Sequence, residues 1–225
     1  MRYHAKQETE PIFAALDGYR AELLEHPLLV AARSGPIERH LLDQFACYQY
    51  ADSITWIPML AQMKSRAARS RRLRTAIEDN IAHEAGLGGV SHVTLAVRLL
   101  RSLGIRDLRA IGSDALERTA ALWLDDDFAE LAEPALAGWL LVAESLVPVM
   151  FAEMLPHYAA LAGADATYFR EHVAVDSDEH AAWMAESVAE VVAIYGAACV
   201  PAVLAGMADA WTETREDPDA LWRSR

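Results

Sequence analysis

The amino-acid sequence predicts an all-α protein. Alanine, leucine, glutamate and arginine, which favour helices, are abundant along the chain. Glycine and proline fall at the ends of apolar segments, where they stop helices, and no clear run alternates β-branched with polar residues as a strand would. These observations together favour a succession of helices separated by turns.

Breaker residues set the bounds expected for the first two helices. The first should cover about Glu8–Glu25 and end at His26-Pro27, because the residue before a proline disfavours the helical conformation. The second should cover Ser34–Lys64, with Pro36 in its first turn, where a missing backbone donor is tolerated. We expect Pro58 to kink this helix.

A glycine-rich turn separates the third and fourth helices. The third should cover Ser70–Glu84 and stop at the turn Gly86–Gly89, and the fourth should cover His92–Leu103 with Ser91 as its N-cap. The turn should therefore place Glu84 and His92 close together.

The second half of the chain should also be helical. We expect two short helices, a long apolar helix and two further helices, over Asp107–Asp127, Glu133–Leu161, Asp165 or Thr167 to Ile194, and Val200–Thr212. Gly196 should end the helix before it. The charged tail Glu213–Arg225 is expected to be peripheral.

The composition limits the class of protein. Its 225 residues suit a single domain, residues 1–225, and its 33 acidic against 20 basic residues give a net charge of −13. That charge repels phosphates and anionic lipid headgroups, so neither a nucleic acid nor a membrane is expected as a partner. Glu, Asp, His or Pro interrupts the apolar stretches before the roughly 20 residues of a bilayer span, and residues 1–10 resemble no export signal. We therefore expect a cytoplasmic protein, with Cys47 and Cys199 as buried free thiols.

The segment from His172 to His180 has the pattern of a metal half-site. Residues four apart lie on one helical face, so His172, Asp176 and His180 should fan across roughly 80° of the helix. Two imidazoles flanking a carboxylate suit a divalent transition metal. The alternative is a solvated acidic face with incidental histidines, and this segment alone leaves both interpretations open.

Three further residues favour the metal site. Glu144 lies amid apolar residues of a separate helix, where a carboxylate is costly unless it is protonated, paired or bound to a metal. Glu84 and His92 add a carboxylate and an imidazole held by the glycine turn. Helix bundles build di-iron centres from such a mixture of donors.

At this point the sequence resembles the haem-oxygenase-like di-iron oxidases and oxygenases. The resemblance covers about residues 40–190 and rests on ordered motifs. They are Glu84 before a glycine-rich turn, Ser91-His92 opening the next helix, Glu144 within a helix, and the segment Tyr168–His180.

The resemblance implies a fold, a cofactor and an activity. The fold would be the haem-oxygenase-like seven-helix bundle, shared with thiaminase-type proteins and the cofactorless oxidase of quinone-cofactor biosynthesis. The chain would bind two Fe(II)/Fe(III) ions and activate dioxygen to oxidise a small organic molecule, such as an amino acid, an amine or a fatty acid, in a biosynthetic pathway. An external electron donor and a homodimer are also compatible with it. The ligands and catalytic residues carried over are Glu84, His92, Glu144, His172, Asp176 and His180.

Two departures from the family pattern affect the site. Three residues separate Asp176 from His180, where many members have two. Many members also carry a carboxylate on the first core helix, near Thr55 here, and Asp52 is the available substitute one turn earlier. If Asp52 is not a ligand, the second iron should bind weakly or not at all.

Two other functions fit the same helices. One is a metal-free enzyme of this fold, and the other is a non-catalytic helical binding protein in which the histidines are core residues. The metal-free enzyme leaves the buried carboxylate and the His-Asp-His stripe unexplained, whereas in the binding protein Glu144 would lie in a polar network. We also expect His83, which should face about 100° away from Glu84, to contact the ligands from outside or to contact solvent, and not to be a ligand itself.

Overall fold

The structure is a computed structural model that describes residues 2–113, 117, 131–175 and 180–224, with the backbone alone at 2–7 and 175. The described residues form α-helices and no β-strand, which confirms the predicted all-α class. The helices are α1 (Arg2–Leu24), α2 (Pro27–Ser34), α3 (Arg39–Arg66), α4 (Arg71–Glu84), α5 (His92–Ser102), α6 (Glu133–Ala160), α7 (Thr167–Val175), α8 (Ala181–Tyr195) and α9 (Val200–Arg223).

Capping residues explain several of these boundaries. The Ser70 hydroxyl accepts a hydrogen bond from the backbone N–H of Leu73 at the start of α4, and the Ser91 hydroxyl does the same for Thr94 in α5. Gly196, with φ at +75°, ends α8 in a conformation that favours glycine. These boundaries agree with the sequence-based expectations.

Other boundaries differ from those expected. Residues 27–34 form a helix of their own, and α3 begins only at Arg39, so Pro36 precedes its first turn. The expected helices between Asp107 and Asp127 lie largely outside the described residues, although residues 108–113 are helical. Residues 176–179, in the middle of the helix expected to reach Ile194, are likewise not described.

The expectation of a peripheral C-terminal tail was wrong. Helix α9 continues to Arg223, and both Pro218 and Leu221 are buried. The Trp139 indole of α6 donates a hydrogen bond to Glu213 at 3.3 Å. The tail is charged along its sequence, but it carries enough apolar positions on one face to pack against the core.

Helix α6 lies at the centre of the fold, where α9, α8 and α7 all pack against it. Gly138 allows α6 to cross α9 closely. A Cβ added at this position would lie only 2.0 Å from the Val203 carbonyl oxygen. By length and composition α6 could also span a membrane, but 83% of its most apolar window is buried inside the protein. Its hydropathy is therefore that of a helix surrounded by other helices.

Candidate metal centre

A cluster of buried polar residues lies where α4, α5, α6, α7 and the start of α8 meet. None of its members is more than 7% exposed, and they are Glu84, His92, Glu144, His172 and His180. The structure thus brings together five of the six ligands that the sequence predicts with its main motifs. Buried carboxylates and imidazoles are costly in an apolar core unless they pair or bind an ion.

Glu84 and His92 face each other across the glycine turn. Glu84 is the last residue of α4 and His92 the first of α5, and Nδ1 of His92 lies 2.8 Å from Oε2 of Glu84. The turn is tight at Gly86, where φ is +88° and an added Cβ would lie 2.5 Å from the backbone nitrogen of Ser91. Only glycine fits there, so the turn fixes the distance between the two side chains.

His172 completes a compact group of donors with this pair. Ligand atoms of Glu84, His92 and His172 all lie within 4.8 Å of one another. Nδ1 of His172 lies 2.8 Å from the Tyr168 carbonyl oxygen, which can only accept, so Nδ1 carries the proton. In the neutral ring Nε2 then keeps the lone pair that a metal needs. Burial and the neighbouring His92 lower the pKa of His172 well below its ordinary value, which favours this neutral form.

Glu144 and His180 form a second pair beside the first group. Nδ1 of His180 lies 3.1 Å from Oε2 of Glu144, and the side-chain amide of Asn80 donates a hydrogen bond to the other carboxylate oxygen. The buried charge of Glu144 therefore has the partners that its apolar sequence context requires. Asn80 was missed in the sequence, although it lies one turn before Glu84 on the same face of α4.

His83 lies beside the cluster, which is one of the two positions expected for it, around the site or in solvent. Its ring centroid lies 4.9 Å from that of His92 and 5.1 Å from that of His180, and it is nearly perpendicular to both rings. Burial, then the neighbouring His92 and His180, lower its pKa. A helical wheel of α4 alone does not decide between these two positions, because the cluster surrounds the end of the helix on more than one side.

The two remaining sequence-based candidates, Asp176 and Asp52, are not among the described residues of the cluster. Asp176 falls outside the described residues. Asp52 is exposed on α3, whereas the cluster is buried, so its position gives no support to its expected role as a ligand. Thr55 is buried, and its hydroxyl donates to the carbonyls of Ala51 and Asp52 in its own helix.

Aromatic side chains enclose the cluster. Tyr168 and Phe151 lie against His172, with ring centroids 4.3 and 5.1 Å away, and Trp183 lies 4.9 Å from His180. The Tyr168 hydroxyl is itself within 3.1 Å of the Ser53 hydroxyl on α3. These contacts hold the histidine rings in place and keep water from this side of the donors.

The donor set fits a transition metal. Two imidazoles and one carboxylate, here His92, His172 and Glu84, are the ligand types of many non-haem iron(II) centres. The protonated Nδ1 of His172 and the close Glu84–His92 pair orient donors toward a common region. Glu144 and His180 add a further carboxylate and imidazole alongside.

Comparison with known proteins agrees with this chemistry. A family model described as iron-containing redox enzyme matches residues 39–212. No curated protein matches the chain. Among solved structures, a CADD-like protein of unknown function from Nostoc punctiforme has a TM-score of 0.69 and 17% sequence identity, over 97% of this chain and 98% of that one.

The structural likeness concerns the fold, since the identity is low. The family match spans α3 to α9 and includes every described residue of the cluster. This chain is a member of the iron-containing redox enzyme family with an all-α, haem-oxygenase-like fold.

Proposed function

We propose that this protein is a di-iron oxidase or oxygenase that activates dioxygen and oxidises a small organic molecule. The observation that carries the proposal is the pairing of two carboxylates with two imidazoles in one buried cluster. Glu84 lies 2.8 Å from His92 and Glu144 lies 3.1 Å from His180. Carboxylate and imidazole donors on several helices of a bundle are the usual ligands of di-iron centres.

Each described residue has a distinct part in holding iron. Glu84, His92 and His172 would hold one ion, and Glu144 and His180 would contribute to the other. The Tyr168 carbonyl keeps the proton of His172 on Nδ1, and Asn80 fixes the orientation of Glu144. Asp176 remains a proposed ligand, as the family resemblance implies. When bound, iron would supply the electrons that reduce dioxygen, and an external donor would restore them.

The surroundings of the cluster favour oxidation of an organic molecule over reaction with water. Phe151, Tyr168 and Trp183 border the histidines, so the donors lie in a largely apolar environment. A dry, shaped environment protects reactive oxygen chemistry from side reactions. The substrate class that we propose is a small amino acid, amine or fatty-acid-like molecule.

The metal-free alternative leaves the cluster without a purpose. It gives the buried histidines and the two buried carboxylates no ion to bind, so their pairing with one another alone would have to offset the cost of their burial. We therefore favour the iron-dependent enzyme.

Oxygen uptake by the ferrous-loaded protein tests the proposal. We expect the wild type to consume dioxygen in proportion to its bound Fe(II), and His172→Ala and Glu144→Gln to lose both iron and oxygen uptake. His40→Ala, which removes an exposed histidine beside Glu38, is the matched control and should behave as wild type. If either cluster variant kept its full iron content and oxygen uptake, the substituted residue would not be the iron ligand that we propose.

A further inference from the structure

Tyr168 links the metal centre to α3 through its hydroxyl. Its side chain is 3% exposed, and its hydroxyl oxygen lies 3.1 Å from that of Ser53, which is also buried. Ser53 donates its own proton to the Gln49 carbonyl oxygen at 2.8 Å, because a carbonyl can only accept. The phenol is therefore the donor in the bond between Tyr168 and Ser53.

The same residue contacts His172 in two ways. Its backbone carbonyl oxygen lies 2.8 Å from Nδ1 of His172, and its ring lies against the imidazole, with the centroids 4.3 Å apart. The carbonyl contact is local, since it joins residues four apart on α7. The ring contact depends on where the phenol is held, and the bond to Ser53 fixes the far end of the phenol on another helix.

The side chains of α3 explain why this bond matters for the site. Asp52, the carboxylate expected to reach the metal from α3, is exposed, whereas the adjacent Ser53 is buried against α7. Neighbouring residues of a helix point about 100° apart, so the two cannot face the same side. At this level α3 presents a hydroxyl to the residue that contacts His172.

We propose that Tyr168 is a positioning residue of the metal site, through which the Ser53 hydroxyl of α3 fixes the orientation of His172. Contacts that orient a ligand from outside contribute to metal affinity, because they hold its donor atom in the geometry that the ion needs. The inference rests on the proposed function, since it requires His172 to be a metal ligand. It adds a residue of α3 to the set that determines how tightly the ion is held.

Cobalt(II) titration of Tyr168→Phe tests the proposal without relying on activity. Phenylalanine keeps the ring and the backbone carbonyl and removes only the hydroxyl. We expect the affinity of the site that contains His172 to fall about 10-fold, the lower end of the range for contacts outside the ligands. The visible absorption bands of bound Co(II), which report ligand geometry, should shift as well. His172→Ala identifies the binding event that belongs to this site.

Tyr158→Phe is the matched control. Tyr158 is also buried, and its hydroxyl also donates to a group on α3, the Leu42 carbonyl oxygen. Its ring stacks on Phe169, with the centroids 4.3 Å apart, and not on a histidine of the cluster. Both variants should lower the melting temperature, because each loses a buried hydrogen bond between helices. Tyr168→Phe alone should change the affinity and the spectrum of Co(II).

Ser53→Ala tests whether the effect passes through α3. It should cause a smaller loss of affinity than Tyr168→Phe, because the Gln49 carbonyl, 3.5 Å from the phenol oxygen, remains as a weaker acceptor. Adding Ser53→Ala to Tyr168→Phe should cause no further loss, since both changes break the same bond.

Three results would overturn this inference and leave the proposed function intact. They are wild-type affinity and spectrum in Tyr168→Phe, an equal change in Tyr158→Phe, and additive losses in the double variant. A wild type that binds no Co(II) would overturn both proposals.

Discussion

Nδ1 of His92 lies 2.8 Å from Oε2 of Glu84, although the two residues belong to different helices. The distance is set by the turn between α4 and α5, which is closed at Gly86 by a positive φ and by contact with the backbone of Ser91. The relative position of the Glu84 and His92 donors is therefore set by the backbone of the turn as well as by the identity of the two side chains.

Gly86→Ala should weaken metal binding by moving Glu84 away from His92. Its new Cβ would lie 2.5 Å from the Ser91 nitrogen, so the turn must open. We expect at least a 10-fold loss of affinity for a metal ion, with Co(II) as the probe, at the site of Glu84, His92 and His172. Other changes that misplace ligands have effects of this size. Titration of the folded variant measures this loss.

Gly88→Ala is the matched control for this prediction. Gly88 also has a φ of +88°, but an added Cβ there meets nothing within 4 Å. We expect it to cost about 1 kcal/mol in stability and little in affinity. Equal effects of the two variants on metal affinity would show that the turn does not position the ligands.

Glu213 should make the stability of the protein depend on pH. Burial raises the pKa of this carboxyl from 4.5 to about 7 in the folded state. The folded state therefore holds a proton that the unfolded state releases between these values, so the free energy of unfolding falls as the pH rises from about 4.5 to 7. Above pH 7 the carboxyl is ionised in both states, and the folded state bears the full free-energy cost of burying the charge.

Glu213→Gln removes this cost and keeps a similar shape beside Trp139. We expect the variant to exceed the wild type by about 1–3 kcal/mol in the free energy of unfolding at pH 8, and to differ little at pH 5. Urea unfolding at the two pH values measures the difference. A variant as pH-dependent as the wild type over this range would refute the assignment to Glu213.

Gly138→Ala should destabilise the crossing of α6 and α9. The added methyl would lie 2.0 Å from the Val203 carbonyl oxygen, a backbone atom that can move only if the helices separate. We expect a loss of about 3 kcal/mol or more in the free energy of unfolding, measured by urea denaturation.

Gly18→Ala supplies the contrast. Gly18 is an exposed position within α1 where an added Cβ meets nothing within 4 Å, so alanine should stabilise the helix by about 0.5–1 kcal/mol. If Gly138→Ala were as stable as Gly18→Ala, the conclusion that α6 and α9 cross in close contact at Gly138 would be wrong.

The sequence predicted those parts of the protein that depend on local chemistry. Ser70, Ser91 and Gly196 mark helix ends through their own capping interactions, and each boundary is found where it was expected. Glu144 could be recognised because an isolated carboxylate in an apolar helix demands a partner wherever the chain folds.

Other features depend on contacts that a single helix does not reveal. The places of His83 and Asn80 follow from the approach of His180 and Glu144 to the end of α4. Glu213 was assigned to a charged tail, since its contact with Trp139 arises only when α9 packs on α6. Asp52 was inferred from a bend in α3, yet it lies on the exposed side of that helix.

An anaerobic Fe(II) titration followed by exposure to oxygen tests the central claim most directly. The account predicts binding of about two ferrous ions per chain and a transient visible absorption band that forms when dioxygen is added. Loading of about one ion would restrict the centre to Glu84, His92 and His172. Failure to bind iron at all would contradict the account and favour a metal-free role for the fold.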